Sequence, residues 1–97
     1  MQVIAKIENW AQQPDVQTQN GMTSKAQVVL RCPGGRNAEG FVGTAFGAVA
    51  AHNIAKGTMV VADVHFYTHE YDGKVFQDVN IFDIIPMKAT AGVGEHY

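Results

Sequence analysis

Residues 58–85, TMVVADVHFYTHEYDGKVFQDVNIFDII, decide how this chain folds. In the first half Val60, Ala62, Val64 and Phe66 alternate with Val61, Asp63, His65, Tyr67, His69 and Tyr71. That period of two is the signature of a pleated strand, with one face apolar throughout and the other polar and aromatic. The Asp72–Gly73 pair favours the positive φ angles of a tight hairpin turn. The return strand places Val75, Val79, Ile81 and Ile85 on one face and Phe76, Asp78, Asn80 and Phe82 on the other. A two-stranded antiparallel unit with an apolar inner side and a ring-rich outer side follows.

Working outward, VIAKIENW (residues 3–10) alternates in the same way, with Val3, Ala5 and Ile7 inward and Lys6, Glu8 and Trp10 on the polar side. Pro14 and Asp15 predict a bend, and Asn20–Gly21 a hairpin turn. KAQVVLRC (residues 25–32) is a strand with Ala26, Val28, Leu30 and Cys32 inside and Lys25, Gln27, Val29 and Arg31 outside. PGGRNAEG (residues 33–40) is a glycine-rich loop carrying Arg36, and FVGTAF (residues 41–46) resumes the extended chain. GAVAAHNIAKG (residues 47–57) has the only helical character, with Gly57 as its stop. The tail after Pro86 is poor in bulky apolar residues, so residues 1–87 are expected to form one domain and residues 88–97 a loose tail. Five strands with one short helix between the third and fourth is the chain order of an all-β OB-fold, a Greek-key barrel that closes on itself. A generic five-stranded α+β domain fits the same pattern less closely.

Composition narrows the function. The chain has 97 residues, 46% of them hydrophobic and 16% charged, which suits one small folded domain with its function on the surface. Seven Lys and Arg against nine Asp and Glu leave a net charge of −2, so binding to phosphates requires the cations to be clustered. A single cysteine cannot form an internal disulfide and argues against zinc, which points to a reducing, cytoplasmic setting. Neither a signal peptide nor a membrane-spanning apolar run is legible. His65 and His69 lie on one strand roughly 13 Å apart, too far to ligate one ion. No serine or cysteine sits on a nucleophile's turn, and the glycine runs match neither a P-loop nor a dinucleotide fingerprint. These absences predict a non-enzymatic protein without cofactor or metal. Rings on strand surfaces interleaved with Lys6, Lys25, Arg31, Arg36 and Lys74 are instead what a single-strand nucleic-acid platform needs.

Two stretches, PDVQTQNGMTSKAQVVLRC (residues 14–32) and residues 40–85, resemble the bacterial and phage single-stranded DNA-binding proteins of the SSB type. The resemblance lies in the order of parts: the first bend and turn, the aromatic opening strand three, the Phe-Gly before the helix, and the final DG hairpin. It implies an OB-fold that binds single-stranded DNA, or RNA, without sequence specificity in replication, recombination or repair. It also implies a homo-oligomer, dimer or tetramer. Phe41, Phe46 and Tyr71 match the family's base-stacking aromatics, with Trp10 and Tyr67 as further stacking candidates. Lys25, Arg31, Arg36 and Lys74 are the phosphate contacts that the resemblance implies, and the strand pattern adds Lys6 and His69 as binding candidates. Where relatives commonly carry arginines this chain has Tyr67 and His69, with Glu70 in place of a frequent basic residue, which predicts weaker and less salt-dependent binding. Protonation of His65 and His69 in mildly acid solution would return some charge. The ending GVGEHY differs from the family's acidic tail that recruits replication proteins. A primosome-like OB-fold assembly module is the alternative reading.

Overall fold

The structure is a computed structural model that describes residues 1–34 and 39–87. Five strands run in chain order: β1 (Gln2–Thr18), β2 (Gly21–Arg31), β3 (Gly40–Phe46), β4 (Met59–Tyr71) and β5 (Lys74–Pro86). They close into a barrel in the order β1-β2-β3-β5-β4, so the expected OB-fold is the fold observed. All neighbours are antiparallel except β3 and β5, which meet in parallel over only two pairs, Thr44 with Asn80 and Ala45 with Ile81. Arg36 and residues 88–97, the expected tail, lie outside the described residues.

The inward faces supply a core of small and branched side chains. Ala5 and Ile7 come from β1, Ala26, Val28 and Leu30 from β2, Ala45 from β3, Val60, Ala62 and Val64 from β4, and Ile81 and Ile84 from β5. A sheet curled this tightly leaves little room, which is why alanines recur at inward positions. Gly43 is the extreme case: a Cβ there would lie 2.8 Å from the Cδ1 and Cγ1 atoms of Ile81. The missing side chain lets Ile81 fill the seam where β3 and β5 meet.

Several local expectations are corrected. The helix is a single 3₁₀ turn, Ala50–His52, because Val49 offers no capping side chain and Asn53 ends it in the left-handed region at φ 47°. Gly57 is therefore not its stop. Pro14 and Asp15 do not bend the chain away; they sit in a register shift between Gln13 and Val16 within a continuous β1, where an unpaired proline costs no ladder bond. The β1–β2 turn is Gln19–Asn20, with Gly21 at φ 107° opening β2. Asp72 and Gly73, at φ 54° and 75°, form the type I′ turn expected between β4 and β5.

Besides that shift between Gln13 and Val16, two bulges change side-chain parity. The first, between Ile7 and Asn9, inserts one residue in β1, so Trp10 packs against the core instead of lying on the polar side. Its indole Nε1 donates to the Ala50 carbonyl at 3.3 Å, joined there by Gln12 Nε2 at 2.8 Å, and the two pin the 3₁₀ turn to the barrel. The second lies where Asp63 and Val64 pair with Asp83 and Ile81, leaving Phe82 as the extra residue of β5. Ile84 thereby turns inward, and Ile85, expected on the core face, is 58% exposed. Phe66 keeps its face yet is exposed, because the β4–β5 hairpin outruns the barrel.

Gly43→Ala is expected to destabilise the fold by about 1–3 kcal/mol, the usual range for overpacking, as Ile81 is driven from its rotamer. Urea denaturation gives the measurement, and an unchanged midpoint would refute the account of the seam.

Candidate nucleic-acid interface

Alternation along β4 and β5 places His65, Tyr67, His69 and Tyr71 on one face, opposite Asn80, Asp78, Phe76 and Lys74 respectively. Phe76, whose role the sequence leaves open, therefore belongs with Tyr67 and Tyr71. The rings pack against one another. His65 stacks on Phe82 with centroids 4.0 Å apart and lies 6.5 Å from Tyr67, while His69 stacks on Phe76 at 5.3 Å. Each histidine also meets a carboxylate: His69 Nδ1 is 3.0 Å from Asp78 Oδ2, and His65 Nε2 is 3.4 Å from Asp63 Oδ2. A histidine held on two sides in this way presents a fixed ring.

Phe46 extends the row. It is 40% exposed and, with Val49, Asn80, Ile81 and Phe82, lines an open groove at the end of the β3–β5 seam. Across the β2–β3 ladder it pairs with Lys25. A cation, a phenylalanine, a second phenylalanine, a histidine and a tyrosine thus follow one another over four strands. Rings set this way offer π-faces on which bases of any identity stack.

Not every expected residue joins this surface. Phe41 lies on the core-facing side of β3 opposite Leu30 and packs against the core, because Phe41, Gly43 and Ala45 share parity. Trp10 is half-buried beneath the 3₁₀ turn. Tyr67 and Tyr71 are open to solvent, as are Lys6 and Lys74, with Lys25 half-buried. Phe82, His65 and Phe76 complete the row. Their signal in the sequence is alternation, which puts His65 on the face of Tyr67 and puts Phe76 and Phe82 on the outer face of the return strand.

Charge is distributed unevenly. Between Met59 and Pro86 five carboxylates, Asp63, Glu70, Asp72, Asp78 and Asp83, face the single ammonium of Lys74. The cations gather on the β1–β2 side, where Lys6 and Arg31 are paired across the ladder. Arg31 grips Glu8 bidentately, Nε to Oε2 at 2.9 Å and Nη2 to Oε1 at 3.0 Å. The Arg31 hydrogen bonds hold the Glu8 carboxyl below its usual range, with burial opposing them and the charges of Arg31, Lys6 and Lys56 adding to them. Among the described residues no group of three or more His, Cys, Asp and Glu is placed to hold a metal ion, and no helix is long and apolar enough to cross a membrane.

No family description matches this sequence, and no curated protein does. Solved structures do. The SSB domain of a Synechococcus sp. protein superposes with a TM-score of 0.63 at 17% identity, over 88% of this chain and 91% of that one. A small single-stranded DNA-binding protein from Streptomyces coelicolor gives 0.52 at 12% identity, over 90% and 92%. The class defined is the OB-fold barrel with the architecture of single-stranded DNA-binding domains.

Because folding lowers the Glu8 pKa, its ion pair stabilises the protein above the ordinary carboxyl value of 4.5 and loses that contribution as pH falls through and below it. Glu8→Gln is therefore expected to be less stable than the wild type at neutral pH, with the gap closing by roughly pH 3. Paired thermal melts at the two pH values test the sign, and a gap that widens on acidification contradicts it.

Proposed function

We propose that this protein binds single-stranded DNA without sequence preference, stacking bases on the ring row and drawing phosphates to the cations beside it. The observation that carries the reading is the continuity of Lys25, Phe46, Phe82, His65 and Tyr67 across the closed barrel. The similarity of the barrel to solved single-strand-binding domains supports it. Phe46, Phe82, Tyr67 and Tyr71 act as stacking platforms, His69 and Phe76 extend them toward the hairpin tip, and Lys6, Lys25 and Arg31 meet the backbone. The role is one of binding rather than catalysis, in replication, recombination or repair. Carboxylates along β4 and β5 repel phosphate, so affinity comes chiefly from stacking. With Lys6 and Lys25 engaged and Arg31 already paired with Glu8, log K should fall against log salt with a slope of roughly −1.4, shallow for a nucleic-acid binder.

A second reading, an assembly surface, is favoured by another observation. Ile4, Val61 and Ile85 align across β1, β4 and β5 on the barrel's outside, with Ile4 and Ile85 50% and 58% exposed and Met59 and Met87 beside them. An outward apolar band of this kind suits self-association into a dimer or tetramer. The two readings are compatible because the band and the ring row use different residues.

Titration of labelled oligo-dT at about 50 mM salt, followed by anisotropy, tests the first reading; absence of binding removes it. Phe46→Ala and Tyr67→Ala should each lose about 1–3 kcal/mol of binding. Ile85→Lys should reduce the mass seen by light scattering while leaving the affinity per chain within about twofold.

A further inference from the structure

Three of the five lysines and arginines among the described residues act on one carboxylate. Arg31 holds Glu8 through two parallel hydrogen bonds, and the charges of Lys6 and Lys56 reach it as well. Lys6, Glu8 and Arg31 line an open groove with Cys32, Pro33 and Met59, about 570 Å³ in volume. The pair is not sealed in: the Arg31 and Glu8 side chains keep 41% and 34% of their surface exposed. A carboxylate is the shape a guanidinium fork grips bidentately, and so is a phosphate. Glu8 reaches this place through the bulge after Ile7, which puts Glu8 and Asn9 between the two inward side chains Ile7 and Trp10.

We infer that Lys6 and Arg31 form a phosphate site for the nucleic-acid backbone, and that Glu8 is a built-in competitor occupying it until the strand arrives. This rests on the single-strand-binding reading above and assigns one of its contacts a regulator. A strand phosphate approaching Arg31 must share or displace the Glu8 carboxylate, so each binding event loses part of its electrostatic gain. Arg31 oriented by Glu8 is a weaker cation toward solution than an arginine with no anion in its fork. Residue 8 then sets the affinity of the whole surface.

The test compares wild type, Glu8→Gln, Asp15→Asn and the double variant Glu8→Gln/Arg31→Gln, each titrated with labelled oligo-dT across a salt series. Glu8→Gln keeps a hydrogen-bond acceptor for Arg31 while removing the charge. It should bind about fivefold to tenfold more tightly at ~50 mM salt, with a log–log salt slope steeper by about 0.7, one added single-strand phosphate contact. Asp15→Asn removes an exposed carboxylate elsewhere on β1 and should change affinity less than about twofold, a distant-charge effect. The double variant should lose the gain. As a second readout, the Arg31 Nε–H resonance of the wild type should shift on addition of oligo-dT. Wild-type binding with Glu8→Gln equal or weaker, an equal gain from Asp15→Asn, or an unmoved Arg31 resonance overturns the competitor while leaving the binding reading intact. No binding by any of the proteins removes both.

Discussion

The barrel closes at its narrowest ladder. β3 and β5 share only two residue pairs, and everything between them depends on Ile81 lying where a side chain on Gly43 would be. Closure there does more than complete a core. It brings Phe46, at the end of β3, against Asn80 and Phe82 of β5, residues 34 or more positions apart in the chain. Without that seam Phe46 and its ladder partner Lys25 would lie apart from Phe82 and the rings beside it. A parallel contact this short contributes little hydrogen bonding of its own, so its strength rests on the packing of Ile81 among Ala45, Val64 and their neighbours.

Two of the three single-residue insertions decide what the closed barrel buries and what it displays. The bulge after Ile7 sends Trp10 inward to hold the 3₁₀ turn and leaves Glu8 facing Arg31. The bulge at Phe82 sends Ile84 into the core and lays Phe82 on His65. In each case the extra residue exchanges what is buried for what is displayed. Such bulges are local features of a strand with consequences for every residue beyond them, since one slip reverses parity. The place of Phe82 beside His65, the facing of Glu8 on Arg31 and the outward Ile85 follow from these two positions.

Electrostatics divide the molecule along the same line. The hairpin that carries most of the exposed rings also carries five carboxylates, and its histidines are each turned toward an aspartate. Cations lie on β1 and β2, where Arg31 grips Glu8 and Lys6 lines the same groove. A net charge of −2 conceals this arrangement, because it averages an acidic hairpin with a basic face. Exposed rings and cations are thus carried by different strands, and the Arg31 guanidinium is already paired with Glu8.

How much of this was readable in advance follows from the range of each interaction. Alternation in residues 58–85, the DG turn and the inward set of β2 are local properties of a pleated chain, and from them the strands, the I′ hairpin, the OB order and the outward face of Tyr67, His69 and Tyr71 could be read. Residues whose fate depends on partners far along the chain could not be read in this way. Phe41 shares the inward face of β3 with Gly43 and Ala45 and packs against the core, and which face of β3 is inward is set by its pairing with β2. Trp10 and Ile85 lie on the faces opposite to those that alternation gives them, because a bulge is chosen by the register of the neighbouring strand. Periodicity alone accounts for which residues share a face; only the closed barrel, through register and curvature, decides which faces meet.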